Sequence, residues 1–306
     1  MDIKKELQQI AGEEAVFCQQ PLAAYTSFRV GGPAEYMVFP GSVDRVAELL
    51  RFCSQGEVPW YVLGRGTNLL VSDRGVKGVV ICISNNLSEV TVSGPCITAQ
   101  AGAILTRVSA MALDHSLSGL EFAEGIPGTV GGAVVMNAGA YQGEMKDVLT
   151  GVTAVTPAGE TVYISAEDLQ LGYRSSIFQQ NRYVVTEAEM ELVADSKMAI
   201  KKKMASFSRQ RREKQPLDKA SAGSTFKRPA GYFAGQLVDQ CGLRGKRIGG
   251  AMISPKHCGF VINEDNASAD DIYQLIKHVQ QQVKEQQGVE LKTEVRLWGE
   301  FGEKSL

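Results

Sequence analysis

Apolar positions recur at two spacings, every three or four residues in a few stretches and every second residue in many more, and these predict which segments coil and which extend. Ile3, Leu7 and Ile10 share one side of a short helix over residues 2–11. Ala34-Glu-Tyr-Met-Val-Phe39 alternates behind the turn-forming Gly31-Gly-Pro33, as a strand does. Ser42 or Asp44 can cap a helix running through Phe52 with Val46, Leu49 and Leu50 inward. A short β-run, Trp60 to Leu63, stops at Gly64-Arg65-Gly66-Thr67-Asn68 before a second apolar run, Leu69 to Val71.

From Val79 to Leu192 period two dominates, with runs at 79–83, 90–92, 97–99, 152–155, 162–164 and 184–192 and a Pro157-Ala-Gly159 turn, so hairpins are expected. One helix, Leu105 to His115, interrupts them, with Leu105, Val108 and Leu113 as core positions. Residues 195–215 predict a basic helix ending before Pro216. In the last third, Lys256 to Asn263 reads as a strand. Asp270 to Gln286 reads as a helix with Ile272, Leu275, Ile276, Val279 and Val283 on one face, Ser268 as cap and Gly288 as terminator. Glu290 to Trp298 alternates, placing Glu294 with Glu290, Lys292 and Arg296, and Leu291, Val295 and Leu297 on the opposite side.

The 306 residues suffice for two or three domains and a substantial core. A formal net charge of −2 gives no global field for nucleic acid or anionic membrane, so the expected partners are small molecules. The six cysteines form no Cys-x-x-Cys pair and the three histidines are scattered, so no zinc set is expected. The charged N-terminus lacks the apolar centre of a secretion signal, and no run reaches the ~20 apolar residues of a membrane helix. A reduced, cytoplasmic monomer is the expectation.

Against this background the stretch from Glu121 to Ala140 stands out, with five glycines and no lysine or arginine. It reads either as backbone lying against a flat ligand at Gly125, Gly128, Gly131 and Gly132, or as a tight turn entering a buried strand. Gly64 to Asn68 follows a strand as a phosphate-binding turn would, yet lacks the Gly-Lys-Ser/Thr of a P-loop and has Leu69 where the third glycine of a dinucleotide fingerprint belongs; a plain turn remains open. Arg174, with no carboxylate nearby in sequence, is either a surface arginine or a clamp for a carboxylate or phosphate. The basic helix is a solvated face or a lure for a diphosphate. Glu294 on alternation alone is solvent-facing.

Gly64-Arg65-Gly66-Thr67-Asn68, Glu124-Gly125-Ile126-Pro127-Gly128-Thr129-Val130-Gly131-Gly132 with Asn137-Ala138-Gly139, Tyr173-Arg174-Ser175-Ser176, Ala222-Gly223-Ser224-Thr225-Phe226-Lys227 and Leu291-Lys292-Thr293-Glu294 together resemble the UDP-N-acetylenolpyruvoylglucosamine reductases, in order along the whole chain. The resemblance implies an α+β protein: an FAD-binding region of the vanillyl-alcohol-oxidase (PCMH) type over residues 1–200, in two subdomains of about 1–70 and 71–200, then a smaller α+β substrate domain over 201–290. A C-terminal strand, 291–306, returns to the FAD-binding body. It is similar to the shorter branch of the family, lacking the inserted tyrosine loop. It implies noncovalent FAD, held by the first two motifs and Asn137, Ala138 and Gly139, with NADPH as hydride donor, Ser224 as proton donor, Arg174 and Glu294 as the other catalytic residues, and Arg211 and Lys227 toward the substrate.

That chemistry is coherent for these side chains. Hydride addition to an enolpyruvyl methylene leaves negative charge on the adjacent carbon and its carboxylate, which Arg174 and, if burial keeps it protonated, a hydrogen bond from Glu294 can stabilise while Ser224 delivers a proton, with Lys227 polarising its hydroxyl. Two alternatives stay open: another FAD-dependent oxidase or dehydrogenase of the same cofactor fold acting on a hydroxy acid, and a non-catalytic nucleotide-binding module.

Overall fold

The alternating stretches between Val90 and Glu191 pair into one antiparallel sheet in a computed structural model that describes residues 2–302. Its strands run in the order Thr161–Ser165, Leu149–Val155, Val184–Glu191, Cys96–Gln100, Val90–Ser93. Val155 pairs with Thr161 across the Pro157-Ala-Gly159 turn, Ala188 with Ala99, and Val92 with Ile97. Val152, Ala154, Thr186, Ala188, Met190, Ile97 and Ala99 are buried, while Glu187 and Glu189 are half-buried between them. That period of two makes register costly to slip, because a one-residue shift would turn the carboxylates into the core. Each large apolar side chain fully buried here contributes about 1.5–3 kcal/mol. A parallel pair, Trp60–Leu63 with Val79 to Cys82, belongs to the same unit. So do the helices Ile3–Ala11, Val43–Gln55 and Leu105–Asp114. Ser42, not Asp44, caps the second of these, its Oγ accepting from the Arg45 amide at 3.3 Å.

By contacts the chain forms two compact units: the residues up to Cys18 with Tyr36–Arg65 and Gly78–Arg211, and Gln19–Glu35 with Gly66–Lys77 and everything from Arg212. Where the resemblance implied a division at residue 200, the division in the basic helix falls between Arg211 and Arg212. Of the segment 291–306, residues 303–306 lie outside the described residues.

In the second unit a helix, Ala269–Gln287, lies over a small antiparallel sheet ordered Arg247–Ile248, Ala251–Ile253, Val261–Asn263. Ile272, Leu275, Ile276, Val279 and Val283 share one core with Ala251, Ile253 and Val261. Ser268 and Asp271 close a capping box at its start, and Gly288 ends it at φ 67°.

Three expectations change. Only Val261–Asn263 of the segment from Lys256 is a strand: Ser254 Oγ accepts from the Lys256 and His257 amides, turning the preceding backbone away from a ladder. From Glu290 onward only Arg296–Trp298 is a strand, parallel to Leu69–Val71, and Leu297, expected inward, is 39% exposed. The glycine stretch enters a helix, Val130–Val135, rather than a buried strand. Among the described residues no helix is long and apolar enough to cross a membrane.

Candidate active site

Thr129 caps the helix Val130–Val135, its Oγ1 accepting from the Gly132 amide at 3.3 Å. The preceding amides are already committed, Val130 to the Ala103 carbonyl and Gly131 to the Ala101 carbonyl, both at 2.9 Å. A Cβ at Gly131 would sit 2.8 Å from Ala101 Cβ, and one at Gly125, where φ is 76°, 3.0 Å from Arg211 Cδ. Glycine at these two positions therefore admits neighbouring protein on the side a Cβ would occupy. Gly132 is exposed. Glu124, Ile126 and Gly128 are half-buried and Pro127 is exposed.

Asn137 is fully buried and spends its side chain on protein: Nδ2 donates to the Glu144 carboxylate and the Gly172 carbonyl, both at 3.0 Å, and Oδ1 accepts from the Lys146 amide at 2.9 Å. Its role is to hold a turn, not to offer a side chain. The same turn receives Arg174, whose Nη2 donates to the Gly139 carbonyl at 3.2 Å and Nη1 to that of Asn137 at 3.5 Å. The Arg174 guanidinium also lies 5.2 Å from the Tyr173 ring centre. Both Asn137 (φ 40°) and Arg174 (φ 52°) occupy the left-handed region, which costs non-glycine residues about 1–3 kcal/mol and concentrates at functional sites. The unit thus brings Asn137, Gly139 and Arg174 together from separate motifs.

On the basic helix, Lys197–Lys214, the charges divide. Lys201, Lys202, Lys203, Arg209, Arg212 and Lys214 are exposed; Lys197 pairs with Asp114 at 3.0 Å and Lys203 with Glu121 at 3.4 Å. For these the solvated-face reading holds. Arg211 instead follows Ile200, Met204 and Phe207 on the inward stripe and is 8% exposed. Its Nε and Nη2 have no hydrogen-bond partner among the described residues. Burial pushes its ionisation downward, against the pull of Tyr141 and Glu124. The Tyr141 ring, 5.6 Å from the guanidinium, stacks on Phe207 at 4.6 Å. Buried charged donors left unpaired are costly, so this geometry calls for an acceptor from a bound molecule. Neither Tyr141 nor Phe207 was singled out in the sequence, although Phe207 shares the stripe of Ile200 and Met204.

In the second unit, the amides of Gly66, Thr67 and Asn68, and in the first that of Arg65, donate to no protein acceptor among the described residues. Gly66 is left-handed at φ 58° and Arg65 is exposed. Asn68 is engaged with the C-terminal segment, Nδ2 donating to the Glu294 carbonyl at 3.2 Å and its own carbonyl accepting from the Arg296 amide at 3.0 Å. Ser224 to Lys227 runs antiparallel to Lys292 to Glu294: Phe226 bridges Thr293, Lys227 donates to the Lys292 carbonyl and Glu294 to the Thr225 carbonyl, both at 2.8 Å. Ser224 is exposed and Glu294 half-buried on these neighbouring segments. No hydrogen bond joins Lys227 to Ser224 among the described residues. Arg174 lies in the first unit, Ser224 and Glu294 in the second.

A family profile described as "UDP-N-acetylenolpyruvoylglucosamine reductase, C-terminal domain" matches residues 215–298, and one described as "FAD binding domain" matches residues 34–165. The UDP-N-acetylenolpyruvoylglucosamine reductase of Syntrophomonas wolfei is 47% identical over 94% of this chain and 96% of its own length. That of Clostridium perfringens is 48% identical over 98% of each. The crystal structure of UDP-N-acetylenolpyruvylglucosamine reductase from Thermus caldophilus superposes with a TM-score of 0.78 at 36% identity, covering 91% of this chain and 97% of that one. Phl p 4.0202, a glucose dehydrogenase, shares the fold at a TM-score of 0.52 and 16% identity, over 64% of this chain and 45% of that one.

An FAD fits the residues present. The amides of Gly66, Thr67 and Asn68 have no protein acceptor among the described residues and Gly66 is left-handed, donors of the kind a diphosphate takes.

Proposed function

The chain belongs to the UDP-N-acetylenolpyruvoylglucosamine reductase family, FAD-binding oxidoreductases of the vanillyl-alcohol-oxidase fold type, and from that premise we propose that it uses NADPH to reduce UDP-N-acetylglucosamine enolpyruvate to UDP-N-acetylmuramate. We assign cofactor binding to residues 1–200 with the motif residues already named, and substrate binding to 201–290. One observation supports the reading most: the Glu294 amide donates to the carbonyl of Thr225, the residue after Ser224, at 2.8 Å, so backbone distant in sequence is paired beside the proposed proton donor. FAD, held by the motif residues already named, would supply the chemistry of hydride transfer between NADPH and the substrate's methylene carbon.

The chain's own residues then deal with charge and proton. Arg174, its guanidinium held by two carbonyls, offers fixed positive charge to the substrate carboxylate as negative charge develops. Glu294 supports the same group. The exposed Ser224 hydroxyl gives its proton to the adjacent carbon, and the resulting alkoxide is restored from solvent. Hydride plus proton accounts for the saturated product. Arg211 and Lys227 take substrate oxygens, with Arg211 supplying the two nitrogens that now lack partners.

Two outcomes follow. The purified protein should be yellow, release its flavin on acid precipitation and bleach with NADPH; flavin that stays with the precipitate would contradict noncovalent binding. Arg211→Gln should raise the Michaelis constant for the diphosphate substrate by about 10–100-fold, the worth of a charge-assisted hydrogen bond. Arg212→Gln, on the exposed face, should change it little. Steady-state kinetics of the two variants checks this, and equal effects would deny Arg211 a role in binding the substrate.

A further inference from the structure

Thr225 has no accessible surface and stands between Ser224 and the segment paired with Glu294. Its amide, which belongs to the peptide plane carrying Ser224, donates to the Gly259 carbonyl at 2.8 Å. Its carbonyl, in the next plane, accepts from the Glu294 amide at 2.8 Å. Its hydroxyl Oγ1 accepts from the Val261 amide at 3.0 Å, inside the core. The two peptide planes that flank this residue are therefore fixed from opposite sides, by the segment 259–261 and by Glu294. Only one of the three bonds depends on the side chain. Without Oγ1 the buried Val261 amide would have no acceptor, and backbone that leaves an amide unpaired in a core moves to satisfy it. That movement would carry Gly259, and through it the Ser224 peptide, away from its present register with Glu294.

We propose that Thr225 is a positioning residue for proton delivery, its hydroxyl setting the place of Ser224 relative to Glu294. This rests on the reductase reading above and on Ser224 as its proton donor. Proton transfer demands placement within fractions of an ångström, and a displacement near 1 Å can cost about 10²-fold. Reduction of the flavin by NADPH makes no use of Ser224, so it should not respond.

The test is stopped-flow absorbance of the flavin-loaded protein with Thr225→Val, which keeps shape and loses the acceptor, and Thr225→Ser, which keeps the acceptor. Thr225→Val should bleach with NADPH at the wild-type rate and reoxidise with the enolpyruvyl substrate about 10–100-fold more slowly. Its solvent deuterium isotope effect on that step should be enlarged, and Thr225→Ser should recover most of the rate. A Thr225→Val protein that reoxidises normally, or slows equally in both steps, overturns the proposal. Should Thr225→Val fail to fold, Thr225→Cys against Thr225→Ser asks the same question, since sulfur is a poor acceptor for the Val261 amide; equal rates there overturn it too. Ser224→Ala, run alongside, separates the two ideas. If it is slow while Thr225→Val is normal, only the positioning role falls; if Ser224→Ala itself is normal, the proton-donor reading has failed first.

Discussion

Replacing Ser224 by alanine is expected to leave reduction of the flavin by NADPH near the wild-type rate while slowing its reoxidation by the enolpyruvyl substrate about 10²–10⁴-fold. The two half-reactions share one cofactor but not one set of protein groups. The first moves hydride between two bound molecules and delivers no proton to carbon. The second must protonate the carbon next to the developing carboxylate charge, and Ser224 is the exposed hydroxyl beside the Glu294 segment. A serine hydroxyl is a weak acid toward water, yet the conjugate acid of a carbanion is weaker still, so the transfer runs downhill. Flavin absorbance after rapid mixing follows both steps, and a Ser224→Ala protein that reoxidises normally has another proton source.

Arg174→Ala should lower the rate of the same second step by about 10²–10³-fold, the loss expected when one preorganised donor to developing negative charge is removed. Arg174→Lys should recover little of it. The guanidinium presents a planar fork held by the Gly139 and Asn137 carbonyls, and a lysine ammonium cannot reproduce that fork. Glu294→Gln, which keeps a hydrogen-bond donor, should retain more activity than Glu294→Ala. Flavin content and NADPH bleaching serve as controls, and an Arg174→Lys enzyme with wild-type reoxidation would deny the arginine its assigned role.

The sequence made the long elements plain because their periods run for several turns or pairs. The helix Ala269–Gln287 carries five apolar residues on one face and both of its caps, and the strand Val184–Glu191 alternates from Thr186 to its end. Short elements were harder to see. The parallel strand Arg296–Trp298 spans three residues, too few for alternation to report which side faces inward, and Leu297 came out exposed. The hairpin Arg247–Ile248 with Ala251–Ile253 carried its signal in Gly249-Gly250, a two-residue turn of the kind strands favour.

The site divides in the same way. Ile200, Met204, Phe207 and Arg211 keep one helical stripe, so the burial of Arg211 was legible in the spacing that buries its apolar neighbours. Asn137 could not be read as a scaffold, because its partners Glu144, Lys146 and Gly172 meet it only through the turn they build. Ser224 and Glu294 were legible only through resemblance. Nothing in period or composition distinguishes an exposed serine or a carboxylate on an alternating strand from its neighbours.

Anaerobic single turnover shows whether this chain reduces an enolpyruvyl ether with hydride carried by FAD. Protein reduced with one equivalent of NADPH should be reoxidised by one equivalent of UDP-N-acetylglucosamine enolpyruvate, with mass spectrometry finding the substrate heavier by two hydrogens. Reduced flavin that persists in the presence of that substrate, with oxidised flavin instead bleached by a hydroxy acid, would contradict the account and favour an oxidase of the same cofactor fold.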